Sequence, residues 1–174
     1  LPQSFFEGDR PKLEFLAMQK ELVLEWMNQG QQNGQQLPMR SDLHHLLTTF
    51  MYPNSVRASL PFGEVKGTPV YSNSGGAKMG GGVFEPPDAV KGTVARALFY
   101  FYTRYHDRTI TLGSYSDAFW NHNLDMLLRW SKTFPPADNE KNRNDRIEKF
   151  QGNRNPFIDD PSLAERVGVE GFRR

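Results

Sequence analysis

The chain of 174 residues contains no cysteine, which excludes disulfide bonds and thiolate metal sites. No apolar run approaches the roughly 20 residues that are needed to cross a bilayer, so we expect no membrane partner. The formal net charge is only +1, and overall charge therefore does not indicate a polyanionic partner. Neither a repeat nor a linker divides the sequence, and its length predicts a single domain, residues 1–174.

Helical periodicity dominates the sequence. Apolar residues at helical spacing, with proline, aspartate or glycine near the ends, predict four or five helices: residues 9–29, 86–105, 115–134, 138–150 and, as a short last helix, 161–167. In the fourth of these, Asp138 is the expected N-cap and Gly152 the expected C-cap, while Ile147 and Phe150 are expected to face the core.

Little β-structure is expected beside these helices. Residues 61–87 contain eleven Gly or Pro among 27, which excludes a long regular element. This composition predicts hairpins and turns around short pieces such as residues 62–65 and 70–71. The short apolar segment 43–47 is predicted to be a brief strand. The fold class is therefore α+β, mostly helical.

Two adjacent histidines, His44 and His45, are candidates for chemistry. Neighbours on an extended segment point to opposite faces, so the two cannot readily share one metal ion. Imidazole titrates near neutral pH, which makes His44 a candidate catalytic residue. An equally weighted alternative is that one histidine is buried and hydrogen-bonded while the other is exposed. His106 and His122 have no suitable companion spacing, so a four-histidine zinc site is not expected.

Three segments of the sequence closely resemble the bacterial endonuclease I family and occur in the order that the family has. They are residues 41–46 with 54–57, residues 85–92, and residues 143–159, where a basic helix runs into a Gln-Gly-Asn-Arg-Asn-Pro turn. The resemblance implies a His-Me finger (ββα-metal) nuclease, in which a short hairpin and a helix together bind one divalent cation. It also implies a non-sequence-specific, metal-dependent endonuclease that acts on DNA, with RNA as a second candidate substrate.

The family's Asn-x-x-Arg block falls on Asn54 and Arg57. The resemblance implies that Asn54 supplies a neutral oxygen ligand to Mg²⁺ or Ca²⁺, hard cations that prefer oxygen donors. Arg57 is a candidate catalytic residue that either holds a phosphate or organises the loop. The family's Glu-His pair, which supplies the general base and a second metal ligand, would fall immediately upstream of Leu1.

The sequence begins at Leu1 rather than at a methionine, and we therefore expect a processed or incomplete product. The Glu-His segment could be a separate cleaved peptide of the same precursor, an omitted or disordered segment, or truly absent together with catalysis. A cleaved or omitted segment is favoured, because a protein without its first hairpin strand would expose a sheet edge. The family also implies a secreted or periplasmic protein.

Five basic residues are candidates for contacts with nucleic acid: Lys91, Arg96, Arg143, Arg146 and Arg154. Contacts with phosphates would position a nucleic acid without reading its sequence, which suits a non-specific nuclease. Mixed charges at helical spacing are also typical of a solvated helix face. For the Gln-Gly-Asn-Arg-Asn-Pro turn, a structural clasp is the preferred interpretation.

Two alternatives from other classes stay open at this point. The first is a catalytically inactive member of the same fold that binds nucleic acid or a protein partner. The second is a helical adaptor with no nucleic-acid role, which predicts no salt-dependent retention on DNA.

Overall fold

The computed structural model describes residues 41–107, 111–112 and 115–173, with side chains described at 41–107 and 119–173. The helix predicted over residues 9–29 lies outside the described residues. In chain order the elements are a 3-10 turn (Leu43–His45), α1 (Met51–Arg57), β1 (Tyr71–Ser72), β2 (Lys78–Gly80), β3 (Val83–Glu85), α2 (Asp88–Arg104), β4 (Thr111–Leu112), β5 (Tyr115–Ser116), α3 (Asp117–Thr133), α4 (Asp138–Gln151), α5 (Pro156–Asp159) and α6 (Leu163–Phe172). The predicted α+β class, mostly helical, is confirmed. Within these described ranges, each helix is too short or too polar to span a membrane.

The β-structure consists of short antiparallel pairs, as the glycine and proline content predicts. Strands β1, β2 and β3 form one sheet in that order, with Tyr71 opposite Met79 and Met79 opposite Phe84. Strands β4 and β5 form a separate hairpin. Phe62 makes an isolated parallel bridge to Phe84, so the segment that follows α1 lies along the edge of β3.

The hydrophobic core lies between α2, α3, α5 and α6, and it is rich in aromatic rings. Phe99 and Phe172 stack with their ring centroids 4.7 Å apart, and Tyr102 stacks on Trp120 at 4.2 Å. The Trp120 indole N–H donates to the Phe172 carbonyl. Pairs of this kind stabilise a core by about 0.5–1.5 kcal/mol each beyond the area that they bury. The apolar stripes of α2 and α3 thus form the core that periodicity predicts.

Helix α4 differs from its prediction in the face that it buries. Its buried residues are Glu140, Asn144 and Ile147, whereas Phe150 is 83% exposed, so the prediction that Phe150 faces the core is wrong. Asp138 is the first helical residue rather than the N-cap. Gly152 takes the left-handed conformation at the C-cap (φ 80°), as predicted. Partners for the buried polar residues, rather than hydrophobicity, orient this helix.

Two other predictions about local structure are corrected. Residues 43–45 form a 3-10 turn instead of a strand, because the Asp42 side chain accepts a hydrogen bond from the His44 backbone N–H and closes the turn. The last helix begins at Leu163 rather than at residue 161, and a break at Gly168, whose φ is 67°, separates its predicted part, up to residue 167, from a continuation to Phe172.

A close contact joins α2 to the connection between α3 and α4. A Cβ atom at Gly92 would lie 1.9 Å from the Phe134 carbonyl oxygen and 2.9 Å from the Arg96 guanidinium. Arg96 donates to the same carbonyl (2.8 Å) and forms a buried ion pair with Glu140 of α4 (2.6 Å). Glycine at position 92 therefore allows the two helices to be held together by Arg96.

Candidate functional site

A network of buried polar side chains joins the 3-10 turn to α2 and to the segment that follows α4. Its centre is Asp42, which is fully buried. Asp42 Oδ1 accepts hydrogen bonds from the His44 backbone N–H (3.0 Å) and from Gln151 Nε2 (2.9 Å). Asp42 Oδ2 accepts from the hydroxyls of Tyr100 (2.7 Å) and Tyr105 (2.9 Å). We call the following five residues the clasp: Asp42, His44, Tyr100, Gln151 and Asn153.

Hydrogen bonds keep the Asp42 carboxylate charged inside the protein. Burial raises the pKa of Asp42, but the hydrogen bonds from two tyrosine hydroxyls, the Gln151 amide and the His44 N–H lower it more, so the net pKa lies below its ordinary value. Arg104 Nε lies 3.6 Å from Asp42 Oδ2 and adds a positive charge nearby. Burial and the Asp42 charge raise the pKa of Tyr100, which stays a hydrogen-bond donor.

His44 lies within this network and is 1% exposed. Its Nε2 is 2.9 Å from the Asn153 carbonyl oxygen. Because a carbonyl only accepts, Nε2 carries the proton, and the Nδ1 of a neutral ring keeps a lone pair. Nδ1 has no hydrogen-bond partner among the described residues. Burial lowers the pKa of His44 and outweighs the hydrogen bond and the Asp42 charge, which raise it, so the ring is neutral at pH 7.

The Gln-Gly-Asn-Arg-Asn-Pro turn holds the clasp to the helices, as its structural interpretation predicts. Asn153 Nδ2 donates to the Tyr100 hydroxyl, and Asn153 Oδ1 accepts from Gln151 Nε2 (2.8 Å). Asn155 Nδ2 donates to the Arg96 carbonyl (3.1 Å). Asn155 Oδ1 accepts from the backbone N–H of Phe157 (3.0 Å) and caps α5. All of these groups are satisfied by the protein itself, which is typical of a structural element.

Asn54 lies in a different environment, on the exposed side of α1. Its backbone N–H donates to the Phe50 carbonyl (3.1 Å), and its own carbonyl accepts from the Ala58 N–H (2.9 Å). Within the described part of the chain, its side-chain amide makes no hydrogen bond. The amide oxygen is therefore accessible to a ligand, as a cation-binding residue requires.

Arg57 ends the same helix and is half-buried. Its Nη1 donates to the Leu60 carbonyl (3.1 Å), and its guanidinium carbon lies 4.9 Å from the centre of the Phe62 ring. These contacts fold the chain back after α1, where Ala58 adopts a positive φ of 46°. Of the two roles that the sequence left open for Arg57, organisation of the loop is the one that these contacts support.

Two of the five basic candidates for nucleic-acid contact are inside the protein. Arg96 is 1% exposed, and its Nε and Nη2 donate to the Glu140 carboxylate. Lys91 is 8% exposed, and its Nζ lies 2.7 Å from carboxylate oxygens of both Glu85 and Asp88. Contact with a phosphate would require these pairs to break and leave buried carboxylates without partners. The prediction for Lys91 and Arg96 therefore does not fit their positions, and both residues stabilise the fold.

The other three basic candidates differ in how far they are engaged. Arg154 binds the carboxylates of Asp145, Glu148 and Asp159, and these hydrogen bonds raise its pKa despite partial burial. Arg143 donates to the carbonyls of Leu43 and Leu46, so it stabilises the segment that leads to α1. Arg146 is exposed on α4. Of the five, it is the residue best placed to meet a phosphate.

The donors available for a divalent cation are few in the part of the chain that the structure describes. No group of three or more His, Asp or Glu residues lies close enough there to bind a metal ion. Asn54 offers one exposed oxygen of the hard type that Mg²⁺ and Ca²⁺ prefer. The described residues thus fit the role of a partial ligand set and do not form a complete metal site by themselves.

Several residues that matter here were not singled out by the sequence. Asp42 and Glu140 resemble ordinary surface carboxylates until their partners are known. Arg96 was singled out, but for contact with nucleic acid; a signal for its burial did exist, because this charged residue lies among Val94, Ala95 and Ala97 on an apolar helix, and such a residue needs a buried partner.

Comparison with known proteins supports the resemblance. A model of the Endonuclease I family matches residues 1–162 of the chain. An extracellular ribonuclease of Bacillus subtilis (strain 168) is 38% identical over 139 residues, which is 73% of this chain and 46% of the relative. An extracellular deoxyribonuclease of Aeromonas hydrophila is 29% identical over 126 residues, 70% of this chain and 50% of the relative.

A periplasmic deoxyribonuclease of Aeromonas hydrophila is also 29% identical over 126 residues, covering 70% of this chain and 48% of that protein. The chain thus spans about half the length of the curated relatives that it matches. No solved structure matches the chain significantly. Since the family model covers nearly all of the sequence, and Asn54 and all of the clasp except Tyr100 lie in the segments that carry the resemblance, the chain belongs to the Endonuclease I family.

Proposed function

We propose that this protein is an endonuclease that hydrolyses phosphodiester bonds in DNA, with RNA as a second substrate, and that Asn54 is a ligand of its divalent cation. The observation that carries the proposal is the exposed amide of Asn54 on α1, in the family's Asn-x-x-Arg block. Membership of the Endonuclease I family and the ribonuclease and deoxyribonuclease names of the relatives support the reaction class.

In this proposal Asn54 holds one Mg²⁺ or Ca²⁺ through its amide oxygen, together with the glutamate that the family resemblance places upstream of Leu1. When bound, the cation would supply electrostatic stabilisation of the charge that develops on the phosphoryl oxygens. The finer fold assignment, a His-Me finger built around α1, belongs to the same proposal and rests on the match of Asn54 and Arg57 to the family block. Arg57 holds the turn after α1 and so fixes the orientation of Asn54.

His44 does not take the part of the general base in this proposal. A general base has to reach the water or hydroxyl that it activates. The His44 ring is 1% exposed, and its Nε2–H is engaged by the Asn153 carbonyl. We assign His44 a structural role in the clasp, ten positions before Asn54 in the sequence. The histidine of the family's Glu-His pair is the better candidate for the base.

For binding, the proposal relies on sequence-independent contacts with phosphates. Arg146 of α4 is the principal candidate, and exposed Lys149 lies three residues further along the same helix. Since relatives are named extracellular or periplasmic nucleases, we also propose a secreted or periplasmic location.

Nicking of supercoiled plasmid tests the function. The assay uses the chain and the longest product of its gene, each with Mg²⁺, with Ca²⁺ and with EDTA. Intact mass and N-terminal sequencing show whether a Glu-His peptide accompanies the purified protein. We expect activity that EDTA abolishes, and a loss of about 100-fold or more in Asn54→Ala.

Ser55→Ala is the matched control, because Ser55 is the exposed neighbour on the same helix and, among the residues that the structure describes, its hydroxyl donates only to the Met51 carbonyl. Full activity in EDTA would exclude this mechanism. Equal activity of the Asn54 and Ser55 variants would remove Asn54 from the site.

A further inference from the structure

We propose that α4 carries a binding subsite for an unpaired nucleotide, in which Arg146 and Lys149 hold the phosphate and the ring of Phe150 stacks on the base. We call these three residues the α4 patch. This inference deepens the proposed function and rests on it, because it adds recognition of the base to the phosphate contacts of Arg146 and Lys149. Single-stranded DNA and RNA offer the same chemistry here, a phosphate next to an exposed base face.

Helical spacing places the three residues of the α4 patch on one side of α4. All three are exposed, and Phe150 is 83% exposed. At about 100° per residue, Phe150 lies about 40° to one side of Arg146 and Lys149 lies about 60° to the other. Residues three or four positions apart on a helix are direct neighbours, with Cβ atoms about 5–6 Å apart. The three side chains therefore form one continuous surface, with Arg146 in the middle.

The two cations of the α4 patch are available to a phosphate. Within the described part of the chain, neither Arg146 nor Lys149 forms an ion pair. The two acids next to them in the sequence, Asp145 and Glu148, both bind Arg154 instead (2.8 and 2.6 Å). The partial negative charge at the C-terminal end of the helix opposes an anion, and Lys149 in the last turn offsets it. The patch is therefore locally positive, although the net charge of the chain is only +1.

The exposed ring of Phe150 gives the patch its second chemistry. A single apolar residue on a surface needs no explanation by itself, and mixed charges alone are typical of a solvated helix face. Here, however, the ring occupies the outward position next to an unpaired arginine, whereas Phe99 and Phe157 of other helices are buried in the core. An aromatic face beside two cations complements the two parts of a nucleotide, the base and the phosphate.

The α4 patch borders the segment that leads to α1. Arg143 lies two turns before Phe150 and within about 20° of it around the helix. The Arg143 Nη2 donates to the Leu46 carbonyl (2.6 Å), so this side of α4 faces residue 46. Only four residues separate Leu46 from the start of α1. A strand bound on the patch would therefore run next to the segment that leads to Asn54.

The patch distinguishes an unpaired strand from a duplex through the ring alone. In a duplex the base faces are stacked on one another, so Phe150 meets only their edges or the backbone. An unpaired base presents its whole face, and stacking it on an aromatic side chain strengthens binding by about fivefold or more. The contacts of Arg146 and Lys149 with phosphates are the same in both cases. Removal of the ring should therefore weaken binding of a single strand and leave binding of a duplex unchanged.

Fluorescence anisotropy in EDTA tests the inference without any cleavage. The probes are a 12-nucleotide single-stranded DNA, an abasic strand of the same length, which keeps the phosphates but has no bases, and the DNA duplex. Phe150→Ala and Phe150→Leu should weaken binding of the single strand by about tenfold and leave the other two probes within about twofold. Phe150→Tyr, which keeps the ring face, should bind as the wild type does. Arg146→Ala should weaken binding of all three probes, and Lys141→Ala, at an exposed position on the opposite side of α4, is its matched control.

Three results would overturn the inference. They are unchanged single-strand binding in Phe150→Ala, an equal loss for the abasic strand or the duplex, and binding by Phe150→Leu that equals the wild type. Sedimentation adds a fourth: if Phe150→Ala changes from dimer to monomer while its affinity for oligonucleotides is unchanged, the patch is an interface between two copies. Plasmid nicking is scored separately. Intact nicking without base-dependent binding overturns only this inference, and base-dependent binding without nicking overturns only the nuclease proposal.

Discussion

Two residues of the clasp, Asp42 and His44, precede α1 in the sequence by only a few positions, yet they and Asn54 of α1 occupy opposite environments. Asp42 and His44 are buried, and they make hydrogen bonds to Gln151 and Asn153, which lie more than 100 positions away. In α1, Asn54 is exposed and its side chain makes no bond within the described residues. The comparison shows that polar residues of one family block can be buried in a hydrogen-bond network or exposed to solvent, and under the proposed function the exposed one is the residue that serves the chemistry.

The two regions should therefore respond oppositely to substitution. Changes in the clasp should lower stability and leave the activity of the folded fraction unchanged. Changes in α1 should lower activity and leave stability unchanged.

The largest effect is expected for Asp42→Ala. The substitution leaves two tyrosine hydroxyls and the His44 backbone N–H without their acceptor, and it takes one of two acceptors from the Gln151 amide. It also removes the negative charge near Arg104. Loss of one member of a buried charged network costs about 3–5 kcal/mol. Urea denaturation followed by circular dichroism measures the change, with Ser41→Ala, an exposed neighbour, as control. A loss below about 1 kcal/mol would show that the clasp is not a stabilising unit.

His44→Ala should cost about 2–3 kcal/mol, because it opens a cavity and leaves the Asn153 carbonyl without its donor. His122→Ala, at an exposed position of α3, is the matched control and should change stability by less than about 0.5 kcal/mol. Nicking activity, corrected for the folded fraction, should stay within about twofold of the wild type. A large loss of corrected activity would return His44 to the list of catalytic candidates.

As the pH falls, the clasp should lose stability first through protonation of His44 and only at lower pH through protonation of Asp42. Burial lowers the pKa of folded His44 below the 6.5 of an ordinary histidine, so the unfolded chain binds the proton more tightly. The stability that the neutral ring provides is complete above about pH 6.5 and is lost as pH falls toward the folded-state pKa, by at most about 1.4 kcal/mol per pH unit. The Asp42 contribution falls only below its unfolded pKa of 3.8.

The measurement is the free energy of unfolding at pH 7.5, 6.5 and 5.5. Glutamine does not titrate, so the His44→Gln variant should lose less free energy of unfolding between pH 6.5 and pH 5.5 than the wild type does. An unchanged pH dependence in this variant would assign the acid sensitivity to other groups.

Substitutions of Arg146 in α4 and of Arg154 in the turn that follows it should have smaller effects, the first on DNA binding and the second on stability. Arg154→Ala removes three partly exposed ion pairs and should cost about 1 kcal/mol or less. Arg146→Ala should leave stability unchanged but reduce the salt dependence of DNA binding, with the slope of log K against log salt falling by about one. An unchanged salt slope would remove Arg146 from the proposed contacts.

The smallest effect on stability is expected for Asn54→Ala, within about 0.5 kcal/mol, because the side chain is exposed. The same variant should show the large loss of nicking described above. A destabilisation of several kcal/mol would mean that Asn54 supports the fold, and its loss of activity would then carry no information about a cation.

The division between predictable and unpredictable features follows from the physics of burial. Helices α2 and α3 were predicted because apolar stripes at helical spacing produce them directly. The buried face of α4 was mispredicted because it consists of Glu140, Asn144 and Ile147, and the two polar residues are stabilised by partners distant in sequence. Periodicity measures hydrophobicity and contains no information about such partners.

In the candidate site, too, the sequence did not reveal the hydrogen-bond partners that decide the role of a residue. The resemblance located Asn54 and Arg57, but the residues alone could not separate a catalytic His44 from a buried one. That distinction depends on the Asn153 carbonyl, which lies 109 positions away. The strand predicted at residues 43–47 failed for a local reason, since the Asp42 carboxylate closes a 3-10 turn that no apolar pattern reveals.

Gly92 limits the substitutions that this protein can tolerate. With a hydrogen atom in place of a side chain, this position lets the Phe134 carbonyl come within contact distance of α2. Any larger residue would displace the peptide that leads into α4, and with it the start of the helix that ends at Gln151. The displacement would reach the carboxylate of Asp42 through the Gln151 amide, although the nearest neighbours of position 92 are Phe134 and Arg96 and not residues of the clasp. An alanine there would thus be expected to loosen the hydrogen-bond network around Asp42.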